Sequence, residues 1–276
     1  MRPLIPKFLL ALIFTLALAA SPARAQQSFL QRWQARATAT QSAQPHWVTP
    51  LATTTPRLEQ EFRADFDRQL TSAHTTTWNY GGGKGLELIP ARRIELLFNV
   101  PPYIQHNSAA KNGFGDTTLL MKYRIYARNE RHGNAIITAF FGGTIPTGSD
   151  SNGSTDASIS PTLAVGKGLG RFDVQSTAGV TLPVASTEKL GRPVAWNTAF
   201  QARTGPHFFP ELEINSTFYE GGPHDGKVQT FLTPGIVGHW KLHNRLGLTL
   251  GAGMQIAASA YHADNHNLIL SARIPF

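Results

Sequence analysis

The chain has 276 residues, 41% of them hydrophobic, no cysteine and a formal net charge of +8 at pH 7. The lack of cysteine excludes disulfide bonds, so the fold must depend on a core or on a lipid environment. The positive charge could suit nucleic acid, but the cations are scattered and several lie in the first 25 residues. No nucleic-acid partner is therefore expected.

Residues 1–25 have the pattern of a secretory signal peptide. Arg2 and Lys7 precede an apolar run from Phe8 to Ala20, and Ala23-Arg24-Ala25 is an A-x-A cleavage site. The run is too short for a spanning helix, which needs roughly 20 apolar residues. The mature chain is expected to begin near Gln26, outside the cytoplasm, where a basic exported protein would meet lipopolysaccharide.

Residues 26–56 are rich in Gln, Ala, Thr and Pro and contain no acidic residue. This composition, without sustained periodicity, predicts a flexible periplasmic N-terminal arm. Its aromatic cluster, Pro45-His-Trp-Val-Thr-Pro50, could instead dock on or inside the fold. The sequence leaves both alternatives open.

Residues 57–276 have the period-two pattern of strands with two different faces. In the first strand, Phe62, Ala64 and Phe66 alternate with charged residues. The pattern predicts about twelve strands. They lie near 57–70, 73–81, 85–103, 114–128, 133–146, 157–168, 171–184, 192–203, 207–220, 227–241, 245–258 and 266–276.

The connections between these strands alternate in length. The short ones are Asn129–His132, Gly168–Gly170, Thr204–Pro206 and Leu242–Asn244, and the longer polar ones include Gln105–Gly113, Thr147–Asp156, Ala185–Gly191 and Gly221–Gly226. Tight turns at one end and longer loops at the other are typical of outer-membrane barrels. The fold class predicted is all-β: a transmembrane antiparallel up-and-down barrel with an N-terminal periplasmic arm.

The last strand has a candidate C-terminal assembly signal, formed by alternate hydrophobic residues. These are Leu268, Leu270, Ala272, Ile274 and Phe276. A last strand in lipid must pair with the first, because an open edge would leave backbone groups unsatisfied. A terminal Phe after alternate hydrophobes resembles the signal that the barrel-assembly machinery recognises, so that machinery is an expected partner.

Charged residues of the first and third predicted strands form a candidate lumen charge array. They are Glu59, Glu61, Arg63, Asp65, Asp67, Arg93 and Glu95. Charged rings set selectivity in pores, but opposed charges can also pair and fill a narrow barrel, whose interior at about twelve strands is intermediate in width. Both interpretations place these side chains inside the barrel.

Signals for enzymatic chemistry are weak. The paired carboxylates of a glycosidase alternate here with arginine, which favours ion pairing, and no G-x-S-x-G motif is present. A Ser or Thr beside a strand histidine, for which His239 is the clearest candidate, would be needed for a lipid or lipopolysaccharide hydrolase. No metal site and no cofactor are expected.

Several motifs resemble a family of bacterial outer-membrane proteins labelled as phenol-degradation meta-pathway proteins or as transporters. They are Asn112-Gly-Phe-Gly-Asp116 leading to Leu119-Leu-Met-Lys-Tyr123, Leu86-Glu-Leu-Ile-Pro90, Pro101-Pro-Tyr103 and Gly142-Gly-Thr-Ile-Pro-Thr-Gly148. The resemblance extends from about Arg57 to Phe276. It implies a barrel of about a dozen strands and passage of aromatic or hydrophobic compounds across the outer membrane.

The leading functional hypothesis is therefore passive transport of small, aromatic or hydrophobic compounds through a porin-like barrel, without a cofactor. The alternatives are an outer-membrane lipid or lipopolysaccharide hydrolase and a structural barrel plugged by its own charges. A hydroxyl within hydrogen-bond reach of a strand histidine near the outer interface would favour the hydrolase. A lumen that is not continuous would favour the structural barrel.

Overall fold

A computed structural model describes residues 28–82 and 84–276 of the chain, and the predicted signal peptide lies outside them. Over these residues, twelve antiparallel strands form one closed sheet, as predicted. The strands are β1 (Glu61–Thr71), β2 (Thr76–Gly81 and Gly85–Ala91), β3 (Ile94–Asn99 and Tyr103–His106), β4 (Gly113–Phe114 and Thr117–Arg128), β5 (Ala135–Ile145), β6 (Ser158–Leu169), β7 (Phe172–Val180 and Leu182–Pro183), β8 (Val194–Ala202), β9 (Phe208–Phe218), β10 (Val228–His243), β11 (Leu246–Ala257) and β12 (Asp264–Pro275). Strands β2, β3, β4 and β7 each consist of two segments.

Helices are confined to the N-terminal region and the connections. They are α1 (Phe29–Ser42), the short α2 (Thr187–Leu190) and three 3₁₀ turns at Glu130–His132, Asp150–Asn152 and Gly222–His224. None of the helices among the described residues is long and apolar enough to cross a membrane. Contacts divide the chain into Met1–Ala35 and Arg36–Phe276, and the barrel belongs to the second unit.

The barrel closes because β12 pairs with β1. The register runs from Glu61 opposite Pro275 to Thr71 opposite Asp264. Among the described residues the sheet therefore has no open side, which a bilayer requires because it offers no water to unpaired backbone groups. Leu270 and Ile274 of β12 are exposed on the outer face.

The outer face of the barrel is apolar and the inner face is small or polar. On β6, Leu163 and Val165 are exposed outward, while Ala164 between them is completely buried. The same alternation recurs on β8, where Trp196 and Phe200 are exposed and Ala199 is buried. A continuous apolar exterior on a closed sheet is the surface that a lipid bilayer covers.

The predicted boundary between the second and third strands is wrong. Gly81 pairs with Asp65 and Glu87 pairs with Glu61 on the same edge of β1, so residues 76–91 are one strand with a break at the glycines. Gly82 has φ of +61°, and a Cβ there would lie 2.4 Å from Asp65 Cβ. Gly82 therefore adopts a backbone conformation and a close approach to β1 that other residues could not.

The true turn after β2 contains Arg92 and Arg93, since Ala91 pairs with Ile94. Neither residue is a typical turn former, and this is why the sequence pattern placed the turn at the glycines instead. The first strand also begins at Glu61 rather than at residue 57.

The connections fall into two sets at opposite ends of the barrel. At the end that we call the turn end lie 92–93, 129–134, 170–171, 203–207 and 244–245. At the loop end lie 72–75, 107–112, 146–157, 184–193, 219–227 and 258–263. With an even number of strands, β1 starts and β12 finishes at the turn end.

The structure differs from the expected flexible arm over the second half of residues 26–56. Residues 36–60, which we call the plug, run into the barrel, and most of residues 44–60 are buried. The docked alternative for Pro45–Pro50 is the one observed, since Trp47 and Val48 are each 7% exposed. A Pro- and Thr-rich segment can lie buried here because the wall satisfies its polar groups.

The apolar exterior predicts a depth-dependent cost of charge on β6. Leu163→Arg at mid-strand should reduce the free energy of unfolding by about 2–4 kcal/mol, and Leu169→Arg beside the turn by about 0–1 kcal/mol. Both residues face outward, at 51% and 63% exposure, so the pair differs mainly in depth. Urea unfolding from lipid vesicles measures both values. Equal costs would contradict the proposed membrane span.

Candidate transport lumen and its plug

The predicted charge array is largely inside the barrel. Glu61, Arg63 and Asp65 are 4%, 2% and 6% exposed on the inward face of β1. Glu95 of β3 is completely buried. Asp67 has the same inward register and is half-buried. These side chains form part of what we call the wall, the inward-facing residues of the twelve strands.

Two members of the predicted array lie elsewhere. Glu59 is buried, but it belongs to the plug, two residues before β1 begins. Arg93 is exposed in the turn between β2 and β3 and does not face the lumen, so its assignment to the array is wrong. The error follows from the misplaced turn, because a residue in a tight turn has no strand register.

The wall contains further charged and polar residues that the sequence analysis missed. They are Glu87, Lys122, Arg124, Asp173, Gln175, Glu211, Glu213 and Arg273, each at most 9% exposed. The alternation of outward and inward residues along each strand already marked these positions as inward. For example, Lys122 stands between the outward Met121 and Tyr123, and Glu213 between the outward Leu212 and Ile214.

Two wall carboxylates accept hydrogen bonds from the plug backbone. The Leu51 amide donates to Glu211 Oε1 at 3.0 Å. The Ala52 and Thr53 amides donate to the two oxygens of Glu213 at 2.8 and 2.5 Å. A carboxylate that takes two successive amides replaces a strand partner, so the plug needs no sheet of its own.

Two wall arginines, one on β1 and one on β12, donate to carbonyls of the plug. Arg63 Nη2 donates to Leu51 O at 2.6 Å, and Arg273 Nη2 donates to Pro50 O at 2.8 Å. Arg273 Nη1 donates to Thr49 O. Proline has no amide to offer a sheet, so carbonyl recognition by arginine suits this stretch.

Wall residues on other strands fix the remainder of the plug. Gln175 of β7 donates to Val48 O at 3.0 Å and accepts from Thr55 Oγ1 at 2.7 Å. Thr138 of β5 donates to Pro56 O at 2.6 Å. Since the plug bonds to β1, β5, β7, β9 and β12, it lies across the lumen.

Close contacts with glycines add apolar anchors. A Cβ on Gly235, Gly251 or Gly253 would lie 2.5–2.6 Å from a Leu51 methyl carbon, so only glycine leaves room for this side chain. Trp47 lies in the same way on β6, where a Cβ on Gly166 would be 2.5 Å from its ring. The glycines of these strands therefore leave room for the Leu51 and Trp47 side chains of the plug.

A buried ion cluster holds the end of the plug. Lys122 Nζ lies 2.8 Å from Glu95 Oε1 and 3.8 Å from Glu87 Oε2. Glu95 also accepts the Glu59 amide. Within the plug, Arg57 Nη1 lies 3.1 Å from Glu59 Oε1.

Cavities lie on both sides of the plug. Toward the loop end, cavities of about 230 and 180 Å³ share Thr54 of the plug and hydroxyl-bearing wall residues such as Ser160. At the turn end, a cavity of about 490 Å³ lies beside plug residues Trp47, Thr49 and Arg57. The plug is thus the element between two vestibules.

Two histidines lie near hydroxyls, which bears on the hydrolase alternative. His239 Nδ1 lies 2.8 Å from Thr249 Oγ1, in the cavity at the turn end. At the loop end, His106 Nδ1 lies 3.3 Å from Thr77 Oγ1 and His106 Nε2 lies 2.7 Å from Asn152 Oδ1. Thr77 pairs with His106 on the inward register, so this group faces the lumen mouth rather than lipid. It ties the loop at Asn152 to the strands.

The closed sheet, apolar exterior and polar lumen define a transmembrane β-barrel with the fold of outer-membrane channels. The chain belongs to the family described as "Putative MetA-pathway of phenol degradation", which matches residues 52–218. That match includes part of the plug and the strands from β1 to β9.

Solved structures have the same fold. The COG4313 outer membrane channel from Pseudomonas putida F1 aligns with a TM-score of 0.59 and 16% identity, over 83% of this chain and 100% of that one. The NanC porin aligns with a TM-score of 0.50 and 10% identity, over 78% and 98%. A comparison with curated proteins found no match.

The contacts of Glu213 lead to a test of plug docking. Glu213→Ala leaves the amides of Ala52 and Thr53 without acceptors, and each unpaired buried group costs about 1–3 kcal/mol. Hydrogen exchange at residues 51–53 should accelerate by roughly one to two orders of magnitude. Glu220→Ala, at an exposed loop carboxylate, is the control and should leave it unchanged. Unaltered protection in Glu213→Ala would show that these bonds do not hold the plug.

A second contact joins the plug to a turn outside the membrane span. The His46 amide donates to Glu130 Oε1 at 2.6 Å, and His46 Nδ1 lies 2.7 Å from Glu130 Oε2. Partial burial favours the neutral carboxyl, but these hydrogen bonds outweigh it and hold the pKa of Glu130 below its usual value.

This contact should depend on pH. A carboxylate whose folded pKa is depressed stabilises the fold fully above its unfolded pKa, about 4.3 for Glu, and stops doing so as the pH falls through the folded pKa. The protection of the His46 amide, taken relative to its intrinsic exchange rate at each pH, should therefore stay high at pH 6 and 5 and fall in more acidic solution as Glu130 is protonated. In Glu130→Gln that acid step should disappear. An acid step of the same size in this variant would assign it to another group.

Proposed function

We propose that the protein is a channel of the bacterial outer membrane in which the plug gates the passage of small solutes. The observation that carries the proposal is the position of the plug between cavities on its two sides. The cavities at the turn end and toward the loop end are all lined by plug and wall residues, so displacement of the plug would join them. Outer-membrane barrels have short turns on the periplasmic side and longer loops on the outer side. The turn end would therefore face the periplasm and the loop end the outside.

The nature of the interface between plug and wall supports gating over permanent closure. Carboxylates, guanidinium groups and amides provide most of its contacts. Water can replace the plug at each of these groups, because a hydrogen bond exchanged for one with water changes the free energy by only about 0.5–1.5 kcal/mol. The plug interrupts the lumen, as the structural alternative requires, but the wall charges here bind a separate chain segment rather than fill the lumen themselves.

The solutes that we propose are small aromatic or hydrophobic compounds, as the family description suggests. The alternate hydrophobic residues of β12 from Leu268 onward, together with Phe276 after the strand, would serve as the signal for the barrel-assembly machinery. The apolar exterior would contact lipid and lipopolysaccharide.

The hydrolase alternative rests on the two contacts between a histidine and a threonine hydroxyl described above. The Thr77–His106 contact faces the lumen, and His106 also contacts Asn152. The His239–Thr249 contact lies in the cavity at the turn end, which is the end opposite the proposed outer interface.

A reversible disulfide would test gating directly. Thr53 Oγ1 of the plug lies 3.3 Å from Asn215 Nδ2 of β9, and the chain has no cysteine of its own. In Thr53→Cys/Asn215→Cys, oxidation should tether the plug, abolish most single-channel current in planar bilayers and leave it recoverable on reduction.

The controls are the two single-cysteine variants, whose conductance should not respond to oxidant. Mass spectrometry after alkylation confirms that the tether has formed. Current that is the same in the tethered and reduced protein would contradict gating by this segment. The absence of current in every state, including a variant lacking residues 26–56, would reject the aqueous channel itself.

A further inference from the structure

The cavity at the turn end, which we call the turn-end cavity, has the size of a ligand site. Its volume is about 490 Å³, and its lining comes from the plug, from the start of β1 and from strands β9 to β12 and their turns. Pockets that enclose small molecules usually occupy about 300–1,000 Å³. The cavity is therefore large enough to bind a small organic solute beside the plug.

Positive charge dominates the lining of this cavity. The cations are Arg57, Arg203, Lys241, Arg245 and Arg273, against the carboxylates Glu59 and Glu61. Arg203 and Lys241 are exposed at the rim, whereas Arg57 has a side chain only 11% exposed. An excess of cations around a concave site of reduced dielectric attracts anions.

Two of these arginines retain hydrogen-bonding capacity. Arg57 Nε and Arg245 Nε are buried and have no hydrogen-bond partner. The remaining groups of Arg245 donate to Gln41 Oε1 and Phe276 O, at 2.8 and 3.1 Å, so its guanidinium is held in place. Buried donors are normally satisfied, so a carboxylate that reached either of these groups would form charge-assisted bonds with it.

Apolar side chains line the same cavity. They are Trp47 and Val48 of the plug and Phe209 of β9, each at most 8% exposed. A ligand that suits both surfaces has an anionic group and a compact apolar body. We propose that the turn-end cavity binds small organic anions of this kind, typically carboxylates, and that Arg57 and Arg245 recognise the anionic group.

The surrounding turns strengthen this selectivity. Besides the cavity residues, the turn end presents the exposed cations Arg92, Arg93, Arg131 and Arg171. Glu130 is the single carboxylate in the turns at this end. The resulting field concentrates anions at the mouth of the cavity, and salt weakens it. The inference rests on the proposed function, because it states the charge of the solute that the channel would bind and pass.

Calorimetry with a matched pair of probes tests the inference. Benzoate and its neutral isostere benzamide are titrated into the full-length mature protein in a non-ionic detergent. Benzoate should bind at least about tenfold more tightly than benzamide, since a hydrogen bond to a charged group is worth about 1.5–3 kcal/mol. Raising the salt concentration should lower the affinity for benzoate and leave the affinity for benzamide unchanged.

Variants assign the binding to the two arginines. Arg57→Gln and Arg245→Gln should each weaken benzoate about tenfold, with little effect on benzamide. Lys189→Gln, which removes an exposed cation at the loop end, should retain nearly normal affinity. Two arginine variants are used because Arg57 also pairs with Glu59, and each must first show a folded barrel by circular dichroism.

The outcomes separate this inference from the proposed function. Equal affinity for benzoate and benzamide, no binding of benzoate at millimolar concentration, or normal binding in both folded arginine variants would overturn the anion site. The tethered protein provides the distinction. If it still binds benzoate but its current does not respond to oxidation, the site stands and gating fails. If current responds but benzoate does not bind, gating stands and the site fails.

Discussion

The structure depends on one constraint: residues 44–60 of the plug, which follow α1 and form neither helix nor strand, lie inside the barrel, so the wall must satisfy their backbone groups. Unpaired amides and carbonyls buried away from water each cost about 1–3 kcal/mol. The wall supplies carboxylates where the plug presents amides, as Glu213 does for Ala52 and Thr53. It supplies guanidinium groups where the plug presents carbonyls, as Arg273 does for Thr49 and Pro50. The charges of the lumen are therefore distributed according to the backbone that they contact.

The same constraint accounts for the sizes of neighbouring wall residues. Strands β10 and β11 carry glycine where Leu51 enters, and β6 carries glycine where Trp47 lies. Glycine weakens a strand, but it lets a side chain of the plug approach the sheet closely. A barrel of about twelve strands is too wide for its own side chains to fill and too narrow to hold a folded domain. An extended segment with a few large side chains is a natural occupant of such a space.

The sequence predicted the barrel because closure and burial in lipid leave a clear period-two pattern. It failed where that pattern gives no information. At Gly81–Gly85 the chain bends within a strand, and at Arg92–Arg93 it turns without turn-forming residues, so the register of Arg93 was misassigned. Glu59 continues the alternation of β1 but lies in the plug, because alternation does not show where pairing begins. The docking of residues 36–60 depends on contacts with residues more than 100 positions away, such as Gln175 and Glu213, and no local pattern reveals them.

The polar and apolar contacts of the plug have different consequences for its release. If the plug is released as proposed, water rehydrates Arg63, Glu211 and Glu213, and the net loss per hydrogen bond is small. Leu51 and Trp47 lose buried apolar contact without compensation, at about 25 cal/mol for each Å² exposed. The polar contacts thus determine where the plug docks, whereas the two apolar anchors provide much of the free energy that keeps it docked. A gate built in this way can be specific in position and still open at a modest cost.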